Sequence, residues 1–112
     1  MTINPRMFGD VTVLDLEGKL TMDDGAAMLR DRVARLVAEG NKKLLLNLAG
    51  VPYVDSGGLG ELVRCSLIAN REHGAVKLLN LTKRIVDLLT ITRLVTVFDT
   101  FDNEGQALAS FK

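Results

Sequence analysis

A chain of 112 residues in which 47% are hydrophobic is large enough for one core and too apolar to stay disordered. Its 14 Lys and Arg cancel its 14 Asp and Glu, and Trp is absent, so neither a basic field nor base-stacking platforms for nucleic acid or an anionic membrane are predicted. A lone cysteine, Cys65, cannot form an internal disulfide; with no secretory signal around Pro5, Arg6 and Asp10 and no bilayer-length apolar run, a cytoplasmic domain is expected.

Ile3 to Phe8 reads as a strand. Gly9-Asp10 reads as a tight turn into a second strand over Val11, Val13, Leu14 and Leu16, ending at Gly18. Together they predict an N-terminal antiparallel hairpin. A helix follows from about Asp23 to Glu39, with Ala26, Leu29, Val33, Leu36 and Val37 on one face. Thr21 or Asp23 is expected to cap it and Gly40 to end it. Arg30, Arg32 and Arg35 lie off the stripe. Diluted by Asp31 and Glu39, they read as a solvated face rather than a phosphate-binding patch.

Lys43 to Leu48 reads as a strand buried on both faces, broken by Gly50 and Pro52. A second helix is predicted from about Gly58 to His73, with Leu59, Leu62, Val63, Ser66 and Ala69 inward and Gly74 at its end. Val76 to Leu81 is a third apolar strand. Thr82 caps a third helix carrying Ile85, Leu88 and Leu89. Thr96 to Phe101 is expected as a last short strand, and Asn103 as the cap of a terminal helix with Ala107 and Leu108. Strands alternating with helices predict parallel crossovers. With the opening hairpin, the result is a small mixed α/β domain over residues 1–112.

The stretch Val54-Asp55-Ser56-Gly57-Gly58-Leu59-Gly60, between a strand and a helix, is where chemistry or contact is expected. A serine nucleophile would need a base. His73 is the only histidine, 17 residues along the same predicted helix and therefore ~25 Å away. A hydrolase elbow would need Gly two residues before the serine, where this chain has Val54. The glycines match no dinucleotide fingerprint, and no Gly-Lys-Ser/Thr is present to hold a phosphate and magnesium. One His and one Cys do not make a metal site. His73 reads as a helix C-terminal residue and Cys65 as a small packing residue. No catalytic residue, metal or cofactor is expected.

Asp55 or Ser56 should cap the second helix, and the plain reading of Ser56 is a capping hydroxyl. A cap needs only one such group, however, and Asp55 can supply it. Three glycines in four positions bare the surface and let another protein come close. A phosphate on Ser56 would sit at the positive end of a helix, and its charge would be felt by whatever docks there.

Over nearly its whole length the chain resembles the STAS domain family, as in bacterial anti-sigma factor antagonists. The resemblance rests on Gly18-Lys19-Leu20, on Leu44 to Leu48, and above all on Val54 to Leu62; Lys83 to Leu89 and Val97-Phe98 also fit. It implies a single STAS domain: a mixed sheet of hairpin and βα units with helices packed mainly on one face. It also implies a partner-switching cycle. The unmodified antagonist binds an anti-sigma factor that is an ATP-dependent serine kinase, is released on phosphorylation of the serine after the motif's Asp, here Ser56, and is reset by a serine phosphatase. Two positions depart from the family's pattern: Gly57 stands where Ser or Thr is frequent, and Thr21 where Asp is common.

On this reading Asp55, Gly57, Gly58, Leu59 and Gly60 shape a docking turn. Glu61, Arg64 and Ile68 are expected to project together on the outer side of the second helix, with Ile68 either an exposed apolar residue or an edge-of-core one. The alternative expectation is a constitutive scaffold or accessory subunit of a signalling or transport complex.

Overall fold

The computed structural model describes residues 1–111; Lys112, the last residue of the expected domain span, lies outside the described residues. It contains five strands, β1 (Thr2–Phe8), β2 (Val11–Glu17), β3 (Lys43–Gly50), β4 (Ala75–Leu79) and β5 (Thr100–Phe101). Four helices accompany them: α1 (Ala26–Ala38), α2 (Ser56–Arg71), α3 (Lys83–Ile91) and α4 (Glu104–Ala109). The strands form one mixed sheet in the order β1-β2-β3-β4-β5. The hairpin pairs Phe8 with Val11 and Thr2 with Glu17 across a turn in which Gly9 takes φ 61°. From β2 to β5 each neighbour is parallel, as the intervening helices require.

Side chains alternate between the sheet faces, and each face has its own core. Leu14, Leu16, Leu44, Leu46, Leu48, Val76 and Leu78 pack under α1, α2 and α3 through Leu29, Val33, Leu62, Cys65, Ala69, Ile85 and Leu89. Val11, Val13, Leu45 and Leu79 point the other way, onto Ala107 of α4 and Phe111. Three of the four helices thus share one face. A polar ladder crosses the α4 face. Arg6 Nε donates to Asp15 at 2.6 Å, Asn47 Nδ2 donates to Asp15 at 2.8 Å, and Asn80 Nδ2 donates to Asn47 at 3.1 Å. Arg6 Nη2 also reaches Glu104 of α4 at 2.5 Å. The Arg6 guanidinium holds the Asp15 carboxyl below the usual carboxylate range, against the opposing effect of burial.

Two local expectations fail. α1 starts at Ala26 rather than near Asp23, and neither Thr21 nor Asp23 caps it. Thr21 and Asp24 close a tight turn instead, each N–H donating to the other's carbonyl at 2.7 and 3.1 Å. Gly25, at φ 90°, is the N-cap and offers no side chain. The last strand is only Thr100–Phe101. The preceding residues turn, with the Val97 N–H donating to the Leu94 carbonyl at 3.0 Å and Phe98 buried as an anchor.

Candidate functional site

Past Gly50 the chain runs back beside the segment that follows β2. The Leu20 N–H donates to the Tyr53 carbonyl at 3.0 Å and the Asp55 N–H donates to the Leu20 carbonyl at 3.4 Å. These bonds make a parallel Leu20–Val54 bridge whose two side chains are buried in the main core. The bridge fixes where α2 begins. Asp55 is the N-cap in extended conformation, and its Oδ1 accepts from the Gly58 N–H at 2.7 Å. The same carboxylate accepts from the Met22 N–H at 3.2 and 3.3 Å, tying the β2–α1 connection to the start of α2.

Because Asp55 caps, Ser56 is left as the first helical residue, exposed, and among the described residues its hydroxyl has no hydrogen-bond partner. Free N–H groups and the dipole of the first helical turn favour negative charge at this position.

The three glycines do three different things. A Cβ on Gly58 would overlap the Leu20 carbonyl oxygen, so the bridge and the helix approach this closely only with Gly there. A Cβ on Gly57 would fall 2.7 Å from Met22 Cβ. A Cβ on Gly60 would meet nothing within 4 Å, leaving bare surface one turn beyond Ser56.

The helix phase differs from the expected one at its outer edge. Leu59, Leu62, Cys65, Ser66 and Ala69 are buried, as an inner stripe requires. Glu61 is buried with them, so it does not project with Arg64 and Ile68. Its Oε1 lies 3.8 Å from Arg30 Nη1 and has no hydrogen-bond partner, and its Oε2 lies 3.9 Å from Arg64 Nη1. The phase is set by Gly58, Leu62, Cys65 and Ala69, which must face the sheet, and Glu61 follows at their margin. Arg64 is exposed, and Ile68 packs at the edge of the core. Burial, followed by the charge of Glu61, pushes the Cys65 thiol up to about 12, consistent with a packing residue.

The outer line of α2 instead runs through Ser56, Gly60, Arg64 and Leu67, spaced one turn apart. Leu67 is half exposed and was not singled out by the sequence, although its spacing from Gly60 would have found it. Beside the turn stand two further apolar groups. Met22 is 69% exposed, and Tyr53 carries the Arg84 guanidinium 4.3 Å from its ring centroid. No local pattern in the sequence links Met22 to Asp55, 33 residues away. Among the described residues, no group of His, Cys, Asp and Glu is arranged to hold a metal ion, and no helix is long and apolar enough to cross a membrane.

Comparison with known proteins agrees with this geometry. The STAS domain profile matches residues 2–107. The chain is 35% identical over 74 residues to the anti-sigma-B factor antagonist of Bacillus subtilis (strain 168), an alignment covering 66% of this chain and 67% of that protein. A Thermotoga maritima protein superposes with a TM-score of 0.90 at 21% identity, covering 97% of this chain and 93% of that one. An anti-sigma factor antagonist from Mycobacterium paratuberculosis gives 0.84 at 20%, with 98% and 92% covered. The Bacillus cell fate determinant SpoIIAA in its phosphorylated form gives 0.76 at 17%, with 99% and 100% covered. At these identities the three structures establish the fold alone.

Proposed function

Since the chain belongs to the STAS domain family, we propose that it is an anti-sigma factor antagonist that works by partner switching, with Ser56 as the residue phosphorylated. The unmodified α2 turn binds an anti-sigma factor that is also an ATP-dependent serine kinase. Transfer of phosphate to Ser56 releases the complex, and a serine phosphatase restores the free hydroxyl. The domain is substrate and ligand in this cycle, and not the catalyst.

The observation that carries this reading is the division of labour at the turn. Asp55 caps α2, so the exposed Ser56 hydroxyl holds nothing together and can be esterified without loss of a structural bond. Asp55 is engaged by the Gly58 and Met22 N–H groups, so the base that takes the serine proton comes from the kinase. The phosphate brings about −1.5 to −2 charges to the positive end of a helix, which tolerates it. The fold stays intact while the docking surface gains negative charge beside Asp55. The turn glycines, with Arg64 and Leu67, form the rest of the contact.

The test is direct. The domain is incubated with ATP and a candidate kinase from its own cell, and phosphate is mapped by mass spectrometry. Label on Ser56 is expected. Ser56→Ala should bind the partner and fail to leave it, and Ser56→Asp should weaken binding by about 1–3 kcal/mol. Binding of Ser56→Asp as tight as wild type, or stable binding by a kinase that never labels Ser56, would instead favour a constitutive scaffold.

A further inference from the structure

Glu61 breaks a rule that the rest of the core keeps. Its side chain is 8% exposed, and its Oε1 has no hydrogen-bond partner among the described residues. A carboxylate is buried without loss only when hydrogen bonds and opposite charge offset its desolvation. Here Arg30 Nη1 stands 3.8 Å from Oε1 and Arg64 Nη1 stands 3.9 Å from Oε2, both beyond hydrogen-bond reach. The fold gains little from such a group, and a local cost with nothing to offset it is expected where a residue serves function. What Glu61 does is hold two guanidinium groups, one from α1 and one from α2, over a single sunken charge. Each guanidinium carries five N–H donors in a planar fork that matches a carboxylate. The surface around them is low. Ala34 is exposed, Ile68 is half-buried, and Gly60 has no side chain. Of the other charges nearby, Asp31 lies 3.7 Å from Arg30 Nε and is 76% exposed, while Arg71 and Glu72 stand at the far end of the α1–α2 groove and offset each other. With the Glu61 charge below the surface, both forks face outward.

We propose that Glu61 is a positioning residue, which fixes Arg30 and Arg64 as a clasp for a carboxylate side chain of the anti-sigma factor kinase. This inference rests on the reading that the α2 turn is the docking surface and Ser56 its acceptor. The clasp continues that surface, because Arg64 lies on the line through Ser56 and Gly60, and it brings α1 into the contact. Ser56 is two turns from Arg64, ~12 Å along the helix axis, so its phosphate does not sit in the clasp. An acidic partner group has the sign that a phosphate on Ser56 repels, so attraction at the clasp and release by phosphorylation are compatible. Without the Glu61 charge the two guanidinium groups repel each other and their long side chains spread over many rotamers. The clasp is then lost although both arginines remain.

The experiment measures binding to the kinase that binds the wild-type chain, at several salt concentrations, with melting curves to check each fold. Glu61→Met should melt no lower than wild type yet bind about tenfold more weakly, with a flatter salt dependence. A purely structural Glu61 would instead make binding follow the melting temperature. Should Glu61→Met fail to fold, Glu61→Gln keeps the shape, removes the charge and carries the same expectation. Arg64→Ala should also cost about tenfold in the wild-type background, and less than about threefold in the Glu61→Met background, where the arginine is no longer held. Glu61→Met/Arg64→Glu should bind more weakly than Glu61→Met/Arg64→Ala, because its charge has the partner's sign. Wild-type binding by folded Glu61→Met, equal damage from Arg64→Ala in both backgrounds, or tighter binding by Glu61→Met/Arg64→Glu overturns the clasp. Ser56→Asp separates the two levels. If it releases the kinase while Glu61→Met and Arg64→Ala bind normally, the clasp alone is wrong. If it releases nothing while both of those weaken binding, the switch is wrong and the clasp stands.

Discussion

Gly58 and Gly60 lie two residues apart on one helix, and replacing each with alanine should move stability in opposite directions. At Gly58 the new Cβ would overlap the Leu20 carbonyl oxygen, with the carbonyl carbon 2.7 Å and Leu20 Cγ 3.1 Å away. The obstacle is backbone, held by the Leu20–Val54 bridge, so it cannot swing aside. Relief requires the start of α2 to back away, stretching an Asp55–Leu20 hydrogen bond already at 3.4 Å. Such overpacking costs about 1–3 kcal/mol, against a gain of about 0.5–1 kcal/mol for alanine over glycine in a helix. The net is a loss of about 1–2 kcal/mol. At Gly60 nothing lies within 4 Å, so the helical gain of about 0.5–1 kcal/mol stands unopposed. The two variants should therefore differ by about 2 kcal/mol, with wild type between them. Guanidinium unfolding followed by circular dichroism, with slopes compared to confirm the same exposed surface, measures this. Gly58→Ala as stable as wild type, or both variants shifting the same way, would refute the close approach of helix and bridge.

Cys65, with its thiol pushed up to about 12 and its side chain buried, should not react with a disulfide reagent at pH 8 until denaturant is added; rapid stoichiometric labelling of the native protein would contradict its burial. Asp15, whose carboxyl Arg6 holds low, contributes stability above the unfolded carboxylate pKa of about 3.9, and that contribution disappears as pH falls through its lower folded value. The stability gap between wild type and Asp15→Asn should accordingly be level near neutrality and close in acid; a gap unchanged down to pH ~2 would count against the Arg6 contact. Glu61→Met removes a buried carboxylate whose two arginines stand beyond hydrogen-bond distance, and should be neutral or stabilising by up to about 2 kcal/mol in thermal unfolding, whereas a loss of more than about 1 kcal/mol would show that the ion pairs are strong.

The order of strands and helices was readable because each carries a periodic apolar pattern and a terminator. Leu44, Leu45 and Leu46 run without alternation because β3 is buried on both faces, and Asp55 and Thr82 cap the helices they precede. The failures arise where another hydrogen bond or packing contact overrides the pattern that the sequence presents. Thr21 looks like a cap, yet its hydrogen bonds close a turn with Asp24, leaving Gly25 to start α1. Thr96 to Phe101 looks like a strand, but only Thr100 and Phe101 pair, with Leu78 and Leu79, and Phe98 satisfies its burial within a turn. Helical spacing groups Glu61 with Arg64 and Ile68 on the outer side, although four small or apolar neighbours fix the rotation of α2 and carry it inward. At the site, the position of Ser56 was evident from Asp55 and the glycines. The part supplied by Met22 was not, because it depends on a hydrogen bond across 33 residues.

In the sheet, spatial order equals chain order, and this bears on how the molecule comes into being. As the polypeptide emerges from a ribosome, every new strand finds its neighbour already in place and needs no later insertion between finished strands. Growth by addition at one margin keeps loops short and spares the nascent chain long searches, conditions that favour rapid assembly. One exception is the Arg6–Glu104 tie, which joins β1 to α4 and can be made only once synthesis has passed residue 104.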